Sequence, residues 1–251
     1  MATYLISKLE QFTRLSSDDK RALEHAAAQK VRRLRPREDI IREGDKPRHA
    51  NLILDGWACR YKVLEDGRRQ IQAFLVPGDL CDTRMFILKQ MDHSVAALTP
   101  LTVAEIPSDT VLDLTRSSPR LSHALWWSSL VEEAIAREWI TVLGQREAVE
   151  RLAHLFCELF LRLRGVGLTN GQAGQHSFDL PVTQEQLADA TGMSTVHVNR
   201  TLQEMREQGL VTWKGKTVTI PDLEALKAVA LFNPNYLHFD RDGQGLDANE
   251  V

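Results

Sequence analysis

The stretch TQEQLADATGMSTVHVNRTLQEM, residues 183–205, contains two short helical patterns separated by a single glycine. Thr183 and Gln186 have the spacing of a capping box, which predicts that a first helix starts here. Gly192 tolerates the left-handed backbone conformation that ends many helices, and Ser194 is a suitable N-cap for a second helix. The stretch therefore predicts a helix-turn-helix.

The second helix is predicted to have one buried face and one exposed face. Val198, Leu202 and Met205 recur at helical spacing, so we expect them to turn inward. In a helix-turn-helix, the opposite face of this helix lies against base edges in the major groove of DNA. The candidate base-reading residues on that face are Thr195, Val196, Asn199, Arg200 and Gln203.

The chemistry of three of these side chains suits base recognition. Arg200 can donate two hydrogen bonds to guanine, Asn199 can pair with adenine, and Val196 can contact a thymine methyl group. The alternative is that Arg200 forms an ordinary surface ion pair with Glu204, four residues further along the same helix. The two interpretations differ in whether the guanidinium group is available to DNA.

A basic hairpin is predicted directly after the two helices. The segment LVTWKGKTVTIP, residues 210–221, predicts two short strands around a Lys-Gly-Lys turn, as in the wing of a winged helix. Residues 145–220 contain eight basic and eight acidic side chains, so DNA binding is expected to depend on this one face. The candidate phosphate contacts are Thr183, Ser194, Lys214 and Lys216.

Residues 31–110 predict an antiparallel β unit. Glycines recur there within turn-like clusters, and apolar or alternating runs such as NLIL and QIQAFLV lie between them. Short strands with turns at this spacing are typical of a sandwich or roll. The segment LTVAEIP adds a last strand that ends at Pro107. The four turn glycines are Gly44, Gly56, Gly67 and Gly78.

Residues 118–143 predict one long helix with two apolar stripes. Because such a helix must be covered twice, we expect the β unit to cover one stripe and a second copy of the chain to cover the other. Burial of the whole helix within a monomer is the alternative. Gly144 is the predicted hinge to a further helix at 146–164. The stripe assigned to the dimer interface is Ala124, Val131, Ile135, Trp139 and Val142, and the second stripe is Trp126, Leu130 and Ala134.

The composition excludes several classes of protein. The net charge of the 251-residue chain is only −3, and no apolar run approaches the roughly 18 residues that span a membrane. The N-terminal MATYLISKLEQ lacks a secretory pattern, and no catalytic motif such as GxSxG or HExxH occurs. Cys59, Cys81 and Cys157 are too scattered for a disulfide framework or a metal motif, as expected in the cytoplasm. A redox role for these cysteines is an alternative to simple packing.

These features together resemble the Crp/Fnr family of bacterial transcription regulators over nearly the whole chain. The resemblance rests on VPGDL, TVAEIP, the long helix, and the segments AVERLAHLF and VHVNRTLQEMREQGLV. It implies an α+β fold with an N-terminal antiparallel, jelly-roll-like β-roll (1–117), a dimerisation helix with a hinge (118–144) and a C-terminal winged helix-turn-helix (145–230). A partly disordered tail (231–251) would follow. Homodimers, near-palindromic promoter sites and contact with RNA polymerase are also implied.

The resemblance fails at the cyclic-nucleotide site. Family members that bind cyclic AMP carry a Gly-Glu pair shortly after PGD and an Arg-Ser or Arg-Thr pair further on, whereas the segment CDTRMFILKQMDHSV has neither. Asp82 and Asp92 would repel a phosphate group. We therefore expect no control by cyclic AMP. The candidate lining of a pocket for an unidentified effector is Arg84, His93 and Ser94.

No cofactor or metal is expected. The iron–sulfur members of the family carry several cysteines near the N-terminus, but this chain has none before Cys59. His49 and His93 are lone histidines, which are more often structural than haem ligands. A different class of function also remains open, in which the β-roll is a ligand-sensing module that regulates a protein partner rather than DNA.

Overall fold

The computed structural model describes residues 1–81, 87–170 and 176–239. Two helices precede the β unit: α1 (Thr3–Leu9) and α2 (Ser17–Ala28). Eight strands then follow in chain order within the described ranges. They are β1 (Val31–Leu34), β2 (Asp39–Ile41), β3 (His49–Asp55), β4 (Ala58–Val63), β5 (Arg69–Leu75), β6 (Leu80–Cys81), β7 (Ser94–Ala97) and β8 (Leu101–Pro107).

The eight strands form two antiparallel sheets, which confirms the predicted roll. The strand orders are β1-β8-β3-β6 and β2-β7-β4-β5. Fully buried side chains such as Ile53, Val95 and Val103 fill the space between the sheets. All four predicted turn glycines have positive φ, and a side chain at Gly78 would also lie 2.8 Å from the carbonyl oxygen of Tyr4. The turn at Gly78 therefore requires glycine for both conformation and space.

Helices α3 (Ser108–Ser117) and α4 (Pro119–Gln145) connect the roll to the C-terminal domain, which begins with α5 (Ala148–Gly165). Ser118 caps α4 by accepting a hydrogen bond from the backbone N–H of Leu121. The predicted hinge at Gly144 is wrong, because α4 continues through that residue to Gln145. The break follows at Arg146, whose backbone is extended, and a capping box between Glu147 and Glu150 then starts α5.

The stripe of α4 that was assigned to the dimer interface is buried by the chain itself. Its exposed fraction is at most 8% at every position, because the roll, α5 and the C-terminal segment cover it. These side chains are therefore unavailable to a second copy, and the assignment is corrected. The residues concerned are Ala124, Val131, Ile135, Trp139 and Val142. Of the second stripe, Ala134 is also buried, but Trp126 and Leu130 are exposed.

The C-terminal domain is a winged helix with a larger sheet than the sequence predicts. Besides the two wing strands, the structure contains two strands on either side of the undescribed residues 171–175, in the order β11-β12-β10-β9. The elements are β9 (Thr169–Asn170), β10 (His176–Asp179), α6 (Gln184–Thr191), α7 (Thr195–Glu207), β11 (Thr212–Lys214), β12 (Thr217–Ile220) and α8 (Leu223–Val229).

The chain after α8 packs back onto the domain. A 3-10 helix, Pro234–Leu237, contacts α4, and Leu237 is fully buried. The predicted disorder of the last residues, 240–251, falls outside the described residues. None of the helices that the structure describes is long and apolar enough to cross a membrane.

His154 on α5 is a buried histidine that the structure keeps neutral. It is 1% exposed, and its ring stacks on Tyr236 with centroids 5.7 Å apart. Burial, helped by the positive charge of Arg146, lowers the pKa of His154 from 6.5 to about 3. Glu138 lies 3.3 Å from its Nε2 atom but does not reverse the effect of burial.

The pKa of His154 predicts a loss of stability in mild acid. Between pH 6.5 and 5 the imidazole of the unfolded chain takes up a proton and that of the folded chain does not. The free energy of unfolding should therefore fall with falling pH, by about 2 kcal/mol from this one group. His154→Gln should flatten the dependence measured by urea unfolding, whereas the exposed control His25→Gln should not. Equal slopes for His154→Gln and the wild type would contradict this account.

Candidate nucleic-acid interface

The caps predicted for the helix-turn-helix are present. Thr183 accepts a hydrogen bond from the backbone N–H of Gln186 at 3.1 Å, and the Gln186 side chain accepts one from the backbone N–H of Thr183 at 2.8 Å. Gly192 ends α6 in the left-handed conformation, with φ of 67°. Ser194 then caps α7 by accepting a hydrogen bond from the backbone N–H of His197 at 3.2 Å. These caps fix the angle between α6 and α7.

The inner face of α7 is anchored in the core of the domain. Val198 and Met205 are fully buried as predicted, and Leu202 is partly buried. Thr201 also lies on this inner face, although the apolar pattern did not predict it: it is 2% exposed and donates its hydroxyl hydrogen to the backbone carbonyl of His197. A threonine whose hydroxyl hydrogen-bonds to a carbonyl of its own helix can be buried among apolar side chains. Because threonine is a polar residue, the apolar periodicity of the sequence did not indicate that it is buried.

The outer face of α7 is open to solvent. All five predicted base-reading residues are exposed, and Val196 is 81% exposed, which is high for a large apolar side chain. Asn199 donates a hydrogen bond to the Gln184 side chain of α6 at 3.2 Å. The full set is Thr195, Val196, Asn199, Arg200 and Gln203.

The wing lies beside α7 and presents two lysines. Gly215, with φ of 60°, forms the tight turn between β11 and β12 and leaves Lys214 and Lys216 exposed. A 2.7 Å hydrogen bond from the backbone N–H of Leu180 to the carbonyl of Lys216 holds the hairpin against the domain. The wing therefore has a defined position relative to the recognition helix.

Cationic side chains of α7 and the wing are not neutralised by neighbours. Over the described ranges, neither Arg200 nor Arg206 of α7 forms an ion pair, and the same holds for the two wing lysines. Glu204 accepts a hydrogen bond from Gln208 instead of pairing with Arg200. The surface pair considered as an alternative role for Arg200 is therefore not formed. A domain with balanced charge thus presents, among its described residues, four cations without ion pairs on α7 and the wing.

The candidate phosphate contacts lie at different places on this face. Lys214, Lys216 and Ser194 are exposed around α7, whereas Thr183 lines a cleft of about 1040 Å³ between α6 and the roll. Arg37 and Arg68 of the roll line the same cleft. Thr183 is therefore the candidate that lies nearest the roll.

Comparison with known proteins agrees with this architecture. A model of the cyclic nucleotide-binding domain matches residues 31–118, and a model of the Crp-like helix-turn-helix domain matches residues 150–229. The chain belongs to the Crp/Fnr family. It is therefore a DNA-binding transcription regulator and not an enzyme.

Individual relatives are moderately similar to the chain. The transcriptional activator protein FnrL of Cereibacter sphaeroides is 28% identical over 177 residues, which is 70% of both chains. The nitrogen fixation regulation protein FixK of Azorhizobium caulinodans is 27% identical over 75% of this chain and 74% of its own length. The structure of FixK2 from Bradyrhizobium japonicum has a TM-score of 0.70 at 23% identity, and the match covers 80% of this chain and 96% of that chain.

The candidate effector pocket is only partly described. Arg84 lies outside the described residues. The His93 ring is 2.6 Å from a carboxylate oxygen of Asp92, and this contact lowers the pKa of Asp92. Ser94 accepts a hydrogen bond from the backbone N–H of Glu43 at 2.9 Å, so its hydroxyl is engaged in the roll. His93 and Ser94 are consecutive residues, and in the structure both side chains have partners within the roll.

The three cysteines are buried in this structure, and none of them forms a disulfide bond. Burial raises the pKa of Cys59 to about 11 and that of Cys157 to about 12. Thiolates, which are the reactive form, are therefore disfavoured at both sites. No cluster of three His, Cys, Asp or Glu side chains suited to a metal ion occurs in the described part of the chain.

Proposed function

We propose that this regulator binds a near-palindromic promoter site as a homodimer, with α7 of each subunit in the major groove. The observation that carries the proposal is the exposed face of α7, where uncompensated arginines lie beside a basic wing. Arg200 reads a guanine edge, and Asn199 or Val196 reads the neighbouring base pair. Lys214, Lys216, Ser194 and Thr183 hold phosphates. Activity of this kind takes place in the cytoplasm and includes contact with RNA polymerase.

Loss of a base contact and loss of a phosphate contact should affect DNA binding differently. Arg200→Ala should cost about 1–3 kcal/mol of operator affinity and relax the preference at one position of each half-site. Lys216→Ala should weaken binding to all sequences alike and reduce the slope of log affinity against log salt by about one. Binding-site selection and salt titrations with both variants measure the two effects. An unchanged base preference in Arg200→Ala would rule out its reading role.

The proposed dimer uses the exposed side of α4 rather than the buried stripe. Exposed side chains recur there at intervals of four and three residues, which is the spacing of a coiled-coil seam. Trp126, Leu130 and Ile140 are 51%, 57% and 73% exposed. Between them, Arg137 donates to Glu133 at 3.2 Å. We call this set, Trp126, Leu130, Glu133, Arg137 and Ile140, the exposed seam.

A second copy of the chain is the occupant that fits the exposed seam. Under two-fold symmetry each apolar side chain meets the same surface of the other copy, so the seam is self-complementary. The Glu133–Arg137 pair in the middle can exchange partners across the axis and fix the register, as polar seam residues do. A monomer would instead leave three large apolar side chains in water along one helix.

Charge introduced into the exposed seam should separate the subunits. The double variant Leu130→Glu with Ile140→Glu should sediment as a folded monomer at micromolar concentration and lose most of its operator affinity. Thr141→Glu is the control, because Thr141 is exposed beside Ile140 but lies off the seam. A wild-type protein that sediments as a monomer at this concentration would refute the proposed dimer.

Cyclic nucleotides are not the proposed signal. Asp92 and His93 stand where relatives that bind cyclic AMP carry an Arg-Ser or Arg-Thr pair, and their side chains contact each other. Calorimetry with cyclic AMP and with cyclic GMP should therefore show no binding, because Asp92 places negative charge where a phosphate would need a cation. A dissociation constant in the micromolar range for either nucleotide would overturn this expectation.

A further inference from the structure

Four charged side chains meet where the roll, the N-terminal helix and the DNA-binding domain come together. They come from α1, from the turn before β6 and from α5, and they are mostly shielded from solvent. Trp139 of α4 and Tyr236 of the 3-10 helix complete the group through hydrogen bonds. We call this set, Lys8, Asp79, Glu158, Arg162, Trp139 and Tyr236, the joint cluster.

Arg162 is the centre of the joint cluster. Its guanidinium group lies 2.7 Å from a carboxylate oxygen of Asp79 and 3.3 Å from one of Glu158. It also donates to the backbone carbonyl of Phe74 at 3.0 Å. Lys8 binds the other oxygen of Asp79 at 2.8 Å. One α5 side chain is thus bonded to the roll at two points.

Glu158 connects the same arginine to two further elements. Its side chain is fully buried, and its second oxygen accepts hydrogen bonds from Trp139 and from Tyr236, each at 3.0 Å. Every oxygen of the two carboxylates therefore has a partner, and Lys8 and Arg162 supply the positive charge of the cluster. Buried charges are tolerated only when they are paired and hydrogen-bonded in this way.

This arrangement permits one orientation of α5 on the roll. A rotation or translation of α5 by a few ångströms would separate Arg162 from Asp79 and leave both charges buried without compensation. The other described ion pair between the two domains, Arg69–Asp189 at 3.3 Å, is partly exposed and constrains orientation less. The joint cluster is therefore the stronger directional constraint between the domains.

The orientation of α5 has a direct consequence for DNA recognition. Helix α7 packs on α5, so the position of α5 relative to α4 sets the position of α7 relative to the dimer axis. Two recognition helices related by a two-fold axis bind half-sites whose separation matches the distance between the helices. A change in the orientation of α5 therefore changes the half-site spacing that the dimer fits.

We propose that Arg162, Asp79 and Glu158 are positioning residues that determine which half-site spacing the dimer accepts. The proposal rests on the proposed function, since it requires two half-sites bound by one dimer. It differs from a purely stabilising role, in which loss of the joint cluster would weaken binding at every spacing alike. It also assigns Tyr236 a function, because its hydroxyl holds Glu158 in place.

The test varies the spacer between two fixed half-sites and measures affinity at constant salt. Wild-type protein should bind its best spacing at least about tenfold more tightly than sites lengthened or shortened by two base pairs. Arg162→Gln and Tyr236→Phe should reduce that ratio to less than about threefold while keeping the half-site sequence preference. Tyr61→Phe is the matched control, since the Tyr61 hydroxyl also donates to a carboxylate, that of Asp39, but within the roll.

Each result of the spacing experiment either supports or contradicts the proposal. Variants that keep the wild-type spacing ratio, or that lose affinity equally at all spacings, would overturn it. Tyr236→Phe removes only one hydroxyl group, so we expect this variant to fold and to provide the measurement even if Arg162→Gln does not fold. Wild-type protein that binds the two half-sites as a dimer but shows no spacing preference would refute the joint cluster's role alone. Wild-type protein that binds no DNA would refute the proposed function and this inference with it.

Discussion

The hydrogen bond from the Trp139 indole to Glu158 lies at the point where all parts of the molecule meet. Trp139 packs edge-on against Phe74 of the roll, with ring centroids 6.2 Å apart, and its N–H reaches the buried carboxylate on α5. Tyr236 approaches the same carboxylate from the C-terminal segment. A buried carboxylate requires several donors, so the long helix, α5 and the C-terminal segment must assemble together.

The same long helix also carries large apolar side chains that are exposed to solvent. One side of α4 is buried by contacts within the chain, whereas Trp126, Leu130 and Ile140 are exposed on its opposite side. The described chain therefore contains a DNA-binding face and an exposed apolar seam on separate helices. The proposed two-fold dimer would use both, because it would cover the seam and present two copies of α7 to DNA.

The positive charge on α7 and the wing is not reflected in the net charge of the whole chain. The chain carries a net charge of −3, yet the exposed cations of α7 and the wing make no ion pairs within the described residues. Elsewhere some of the charge lies in buried ion pairs, as in Lys8–Asp79 and Arg162–Asp79. Composition alone underestimates such a site, because it counts paired and unpaired charges equally.

The sequence by itself determined the local elements: the turn glycines of the roll, the long helix, the caps at Thr183 and Ser194, and the exposed face of α7. These follow from short-range rules of capping, periodicity and turn conformation. Only the tertiary structure decided which stripe of α4 is buried, that α4 continues past Gly144, and that Arg162 meets Asp79 across 83 residues of chain. Both stripes of α4 are apolar at helical spacing, so periodicity could not rank them. The partners of buried charges are set by long-range packing, which no local pattern encodes.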